Sequence, residues 1–123
     1  MILRYALCLG LLAVTAAPAR AAGPMDVYAI EAANRVGVLE YCRSKQFATA
    51  DNIEHARRVL NNRPQMPAQA ELDKAEALGR QGTVLAAGEQ HTLAELAQRS
   101  NLDIARMCGS IAASSDLAAG MIK

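Results

Sequence analysis

Three cysteines mark this chain, and the position of the first decides what the other two can do. Cys8 lies inside an apolar run, Ala6-Leu7-Cys8-Leu9-Gly10-Leu11-Leu12-Ala13-Val14. The run follows Arg4 and fades through Thr15, Ala16 and Ala17 to Pro18 and the small-x-small triplet Ala19-Arg20-Ala21. A positive charge, an apolar stretch and a small-residue site, in that order, make a secretory leader. The stretch falls well short of the roughly 20 apolar residues that a membrane-spanning helix needs. Cleavage is expected after residue 21, or a residue or two later, since Ala22 also suits the site. Residues 22–123 then form one helical domain with no membrane span. Cys8 leaves with the leader, and it is not placed as a lipid-anchor cysteine, which would directly follow the small-residue site. Cys42 and Cys108 remain in an oxidising compartment, periplasmic or extracellular, where a lone pair of cysteines is expected to form a disulfide. In the chain-entropy model a bridge across 66 positions stabilises the fold by roughly 4 kcal/mol.

Loss of the leader also decides the charge. Arg4 and Arg20 go with it, which takes Lys plus Arg from 13 to 11 against 12 Asp plus Glu, and the net charge from +1 to −1. So balanced a charge removes the case for a polyanion-binding surface. Its three remaining aromatics, Tyr28, Tyr41 and Phe47, make no stacking platform for bases, so nucleic acid is not an expected partner. The apolar content is mostly Ala with Leu, Ile, Val and Met, side chains that bury little area each and build a modest core.

The periodicity predicts an all-α bundle of four or five short helices, stapled by the one disulfide. Helix 1 is expected over about 26–45. Val27, Ile30, Asn34, Val38 and Tyr41 share one of its faces, and Tyr28, Ala32, Val36 and Leu39 form a second. Two apolar faces describe a central helix touched on both sides. Glu31 and Arg35 are spaced to pair at i,i+4, and Gly37 is placed to let another helix approach closely. Helix 2 is expected to start at Asp51, with Glu54 as its capping partner, and to end near Asn62, because Pro64 disfavours helix at Arg63. Pro67 suits the first position of helix 3, which Gly79 or Gly82 ends. Residues 83–91 read as either a helical turn or an extended piece. Helix 4 begins at Thr92, with Glu95 as its capping-box partner. Helix 5 covers about 102–113, and residues 114–123 read as a frayed tail.

No motif specifies a reaction. His55 and His91 are separated and read as solvated, short of the three or four converging ligands that a metal site needs, so no metal and no cofactor are expected. Asn34 is the one polar residue on the main face of helix 1. It is either a ligand contact or a buried amide satisfied by neighbouring backbone. Arg35, with Arg43, Arg57 and Arg58, is a candidate for lining an anion pocket, in the way that helical secreted chorismate mutases use basic side chains. The segment His91-Thr92-Leu93-Ala94-Glu95-Leu96-Ala97-Gln98-Arg99-Ser100-Asn101-Leu102 resembles both the start of a helix-turn-helix and the opening of a LysM domain. The first does not fit the compartment or the charge. The second would imply binding to peptidoglycan, but Glu89-Gln90-His91 replaces the Gly-Asp expected before Thr-Leu. Two short helices packed at an angle is the preferred reading of this segment.

Gly37-Val38-Leu39-Glu40-Tyr41-Cys42, Gly79-Arg80-Gln81-Gly82-Thr83-Val84 and Cys108 together resemble small exported proteobacterial helical proteins of unassigned function. The chain is also similar in kind to HdeA-type periplasmic chaperones, which are small, helical, exported and disulfide-bonded. These resemblances imply a periplasmic or secreted helical domain without implying an activity. The expected function is a non-enzymatic binding, adaptor or chaperone-like protein acting on a protein partner or a cell-envelope component. The alternatives are a LysM-like peptidoglycan binder and a small enzyme or ligand binder that holds an anion with arginine. Catalytic residues are not assigned.

Overall fold

The computed structural model describes residues 24–123, so the expected leader and the expected cleavage site lie outside the described residues. Within the described residues five helices and one hairpin run in order: α1 (Pro24–Ser44), α2 (Ala50–Asn61), α3 (Gln69–Arg80), β1 (Thr83–Ala86), β2 (Glu89–Thr92), α4 (Leu93–Arg99) and α5 (Ile104–Gly120). The architecture is mostly helical, and the two-stranded sheet corrects the all-α expectation. Among the described residues no helix is long and apolar enough to cross a membrane.

The central-helix reading of α1 holds. Ala29, Ala32, Ala33, Val36 and Leu39 pack with Ala56 and Leu60 of α2, Leu72 and Ala75 of α3 and Ala112 of α5. Farther along the same helix, Val38 and Cys42 pack with Leu93 and Cys108. Tyr28 departs from the expected second face: it is 54% exposed, with the Arg63 guanidinium over its ring. Helix α1 lies backbone against backbone on α3, where Gly37 faces Gly79. A Cβ on Gly37 would overlap the backbone of Glu76, and one on Gly79 would overlap the backbone of Asn34 and stand 2.6 Å from the Val38 nitrogen. Gly37 therefore serves the close approach expected of it, and Gly79 serves the same contact from the other side, inside α3. The stop comes later: Gln81 caps the helix and Gly82 comes next at φ +83°.

The helix starts show which local chemistry won. Thr49 caps α2 in place of Asp51: its hydroxyl accepts from the Asn52 backbone, and the Asn52 side chain accepts in return from the Thr49 backbone N–H. A residue pair two positions earlier thus satisfies the free N–H groups that Asp51 and Glu54 were expected to serve. Pro67 stays outside α3, which begins at Gln69 after Ala68. Thr92 and Glu95 cap α4 as expected. Asn101, at φ +54°, turns the chain before Asp103 caps α5 by accepting from the Arg106 N–H at 2.8 Å.

Residues 83–91, for which a turn and an extended piece were both open, form a hairpin. Its register pairs Ala86 with Glu89 and Thr83 with Thr92 around the two-residue turn Ala87-Gly88. Both turn residues have positive φ, +52° and +78°, the combination that matches the twist of the flanking strands. The frayed-tail expectation is also corrected. Helix α5 continues to Gly120, because Ser115 and Ala119 extend the stripe begun by Cys108 and Ala112 and are buried with it. The Ser115 hydroxyl avoids a desolvation cost by donating to the Ile111 carbonyl at 3.1 Å.

Candidate functional site

Asn34 is buried, 1% exposed, at the point where α1 meets both α3 and the hairpin. Its amide nitrogen donates to the carbonyls of Ala75 (3.1 Å) and Thr83 (2.9 Å), and its amide oxygen accepts from the Leu85 N–H (2.9 Å). In the hairpin register, Thr83 and Leu85 turn their peptide groups away from β2. The Asn34 amide therefore acts toward β1 as one peptide unit of a neighbouring strand. Of the two readings of Asn34, the structure supports the buried amide satisfied by backbone. All its hydrogen-bonding groups are engaged, and its work is to fix the hairpin on α1.

One turn earlier, Glu31 completes the attachment by accepting from the Ala87 N–H at 2.9 Å. This corrects the expected Glu31–Arg35 ion pair. The Glu31 carboxylate is turned to the hairpin tip, and among the described residues Arg35 has neither a hydrogen bond nor an ion pair.

Held in this way, β1 forms one wall of a cavity of about 200 Å³ between α1, β1, α4 and α5. Val38, Val84, Leu96, Met107 and Ile111 supply its apolar surface, while Glu31, Asn34 and Arg35 supply its polar lining. Met107 and Ile111 flank Cys108, whose disulfide to Cys42 brings the α-carbons of α1 and α5 to 5.8 Å. The bridge expected from the cysteine count is therefore present, and it locks together two of the four elements that line the cavity.

The remaining candidate residues lie elsewhere. Arg57 donates to Glu40 and Glu76, both at 2.8 Å, and Arg80 lies 3.4 Å and 3.7 Å from the same carboxylates. This quartet ties α1, α2 and α3 with its charges matched two to two. Burial, and then the hydrogen bond and charge of neighbouring Glu76, raise the Glu40 pKa, while Arg80 and Arg57 oppose the rise. Arg43 and Arg58 are exposed. His55 is half-buried, with its Nδ1 2.7 Å from Asp116. Asn52 also donates to both oxygens of that carboxylate, and the two partners, His55 first, hold the Asp116 pKa below the usual range. The contact links the start of α2 to the end of α5, so His55 has a tertiary role that a merely solvated histidine would lack. Among the described residues no group of three His, Cys, Asp or Glu side chains is placed to hold a metal.

The segment resembling a LysM opening takes the form of β2, α4 and the turn into α5, and the chain beyond it is helical to Gly120. The preferred reading of two short helices is met by α4, of seven residues, while α5 is a long helix of 17. No family model, curated protein or solved structure matches the chain.

Proposed function

We propose that this chain is a non-enzymatic exported binding domain whose site is the cavity between α1, β1, α4 and α5. The observation that carries the reading is how the lining's polar groups are used. Asn34 and Glu31 are committed to holding the hairpin, while Arg35 stands in the same lining with no hydrogen-bond or ion-pair partner among the described residues. A largely apolar concavity with a few placed polar groups is the usual form of a small-molecule site. The cavity is built from elements cross-linked by a disulfide and by a buried amide, so it needs no rearrangement to exist, and a preformed site lowers the ordering cost of binding.

The test uses protein exported under its own leader and purified from the cell envelope. Thermal unfolding is followed with a panel of six-carbon neutral, cationic and anionic amphiphiles. A ligand that binds only the folded state raises the melting temperature. At least one class is expected to do so, and Val84→Phe, which fills the cavity wall, is expected to abolish the shift. A panel without effect on the wild type, or an effect that survives in Val84→Phe, would overturn the reading.

A further inference from the structure

We infer that the ligand is a monocarboxylate with an apolar body of about six carbons, its carboxylate held by Arg35. The inference rests on the cavity being the binding site and adds the chemistry of its occupant. Size comes first. An apolar protein cavity of about 150 Å³ accepts benzene, whereas pockets for drug-sized molecules begin near about 300 Å³. A cavity of about 200 Å³ lies between the two, which suits a body the size of hexanoate or benzoate. Val38, Val84, Leu96, Met107 and Ile111 offer such a body no hydrogen-bonding side chain.

Charge comes second. Arg35 is half-buried as a residue and lines the cavity, and among the described residues its guanidinium has no acceptor, so it is free to pair with an anion that enters there. Among the described residues Arg43, Arg58, Arg99 and Arg106 are exposed, and Arg57 and Arg80 are held by Glu40 and Glu76. Arg63 is half-buried too, with its Nε buried and without a hydrogen-bond partner, but its guanidinium lies over the Tyr28 ring and outside this lining. Within the cavity lining, Arg35 is therefore the cation with which an anion can pair. Its planar fork matches a carboxylate through two parallel bonds.

The neighbouring Glu31 sets the valence. Its carboxylate lines the same cavity and stays there to hold Ala87, so the lining carries one positive and one negative group. A monocarboxylate paired with Arg35 leaves the lining with one net negative charge, fewer than any more highly charged anion would. A phosphate monoester would bring a second negative charge against Glu31, which selects against it. Asn34 adds no ligand contact, because its amide is engaged on both sides.

Isothermal titration of the exported protein tests this with hexanoate, benzoate, hexanol, hexylamine and hexyl phosphate. Hexanoate and benzoate are expected to bind at least about tenfold more tightly than hexanol, the ratio that a charge-assisted hydrogen bond supplies. Hexylamine and hexyl phosphate are expected to bind more weakly than hexanoate. Arg35→Met should remove the preference for hexanoate over hexanol while leaving hexanol binding in place, and Arg35→Lys should retain part of the preference. Far-ultraviolet circular dichroism confirms that each variant is folded. Equal affinity for hexanol and hexanoate in the wild type, or an unchanged preference in Arg35→Met, would overturn the carboxylate assignment and leave the cavity reading standing. Failure of all five probes to bind would overturn both.

Discussion

Asn34 and Arg35 are consecutive on one helix and do opposite kinds of work. The Asn34 amide is fully engaged, with Ala75, Thr83 and Leu85. Replacing it with leucine keeps the volume but leaves β1 peptide groups buried without partners, each costing roughly 1–3 kcal/mol. Asn34→Leu is expected to lower stability by about 2–4 kcal/mol and to speed hydrogen exchange at Leu85 ahead of the helices, both readable by two-dimensional NMR. Asp116 offers a second residue-scale test. Its folded-state pKa is lowered by His55 and Asn52 below the usual aspartate value of 3.8. Stability from this carboxylate is therefore present above that value and is lost as pH falls through the lowered one. Asp116→Asn should flatten the acid limb of the melting-temperature profile below about pH 4. Glu40, with its pKa raised, has the opposite sign: its contribution is present below the usual 4.5 and is lost as pH rises through the raised value. The Asp116 side chain is 42% exposed, so solvent screens the effect and a shift of a few degrees at most is expected.

At the scale of elements, the α1–α3 contact depends on two glycines. Alanine is the better helix former by about 1 kcal/mol, yet Gly79→Ala would drive a methyl group into the backbone of α1 at Asn34 and Val38. The packing cost of roughly 1–3 kcal/mol outweighs the gain, so the melting temperature should fall by several degrees, about 4–8 °C per kcal/mol of net loss. The same contact shows what is legible in the sequence. The two-faced pattern of α1 apart from Tyr28, Gly37 as a site of close approach, the Thr92–Glu95 cap and the cysteine pair are all local or compositional signals, and each describes the structure. The hairpin is not legible. Its four-residue strands are too short for periodicity, Glu89-Gln90-His91-Thr92 has little strand character, and its turn is Ala-Gly where Asn-Gly or Asp-Gly would announce itself. Its place is set by Asn34, 49 and 51 residues away in sequence. The end of α5 is obscured because Ser114, Ser115 and Gly120 are weak helix formers, although Ala112, Ser115 and Ala119 fall at helical spacing. The candidate site is half legible for the same reason: its polar residues lie on α1, but the wall that makes a cavity beside them belongs to the hairpin.

Across the whole molecule, the disulfide and the cavity are one construction. The bridge closes 66 residues and joins α1 to α5 beside Met107 and Ile111. Reduction, or Cys42→Ser with Cys108→Ser, should lower the melting temperature substantially, since roughly 4 kcal/mol of loop-closure entropy is released; the double variant should be no worse than either single one. A chain equally stable with both thiols exposed would show that the bridge adds nothing to the fold. The cavity is tested as the binding site by a methyl-resolved NMR titration with hexanoate. Saturable shifts are expected at Val38, Val84, Leu96, Met107 and Ile111. Leu117 on α5 and Met121 just beyond it, 72% and 75% exposed, should not move. Shifts confined to Leu117 and Met121, or none that saturate at the cavity methyls, would refute the cavity as the site.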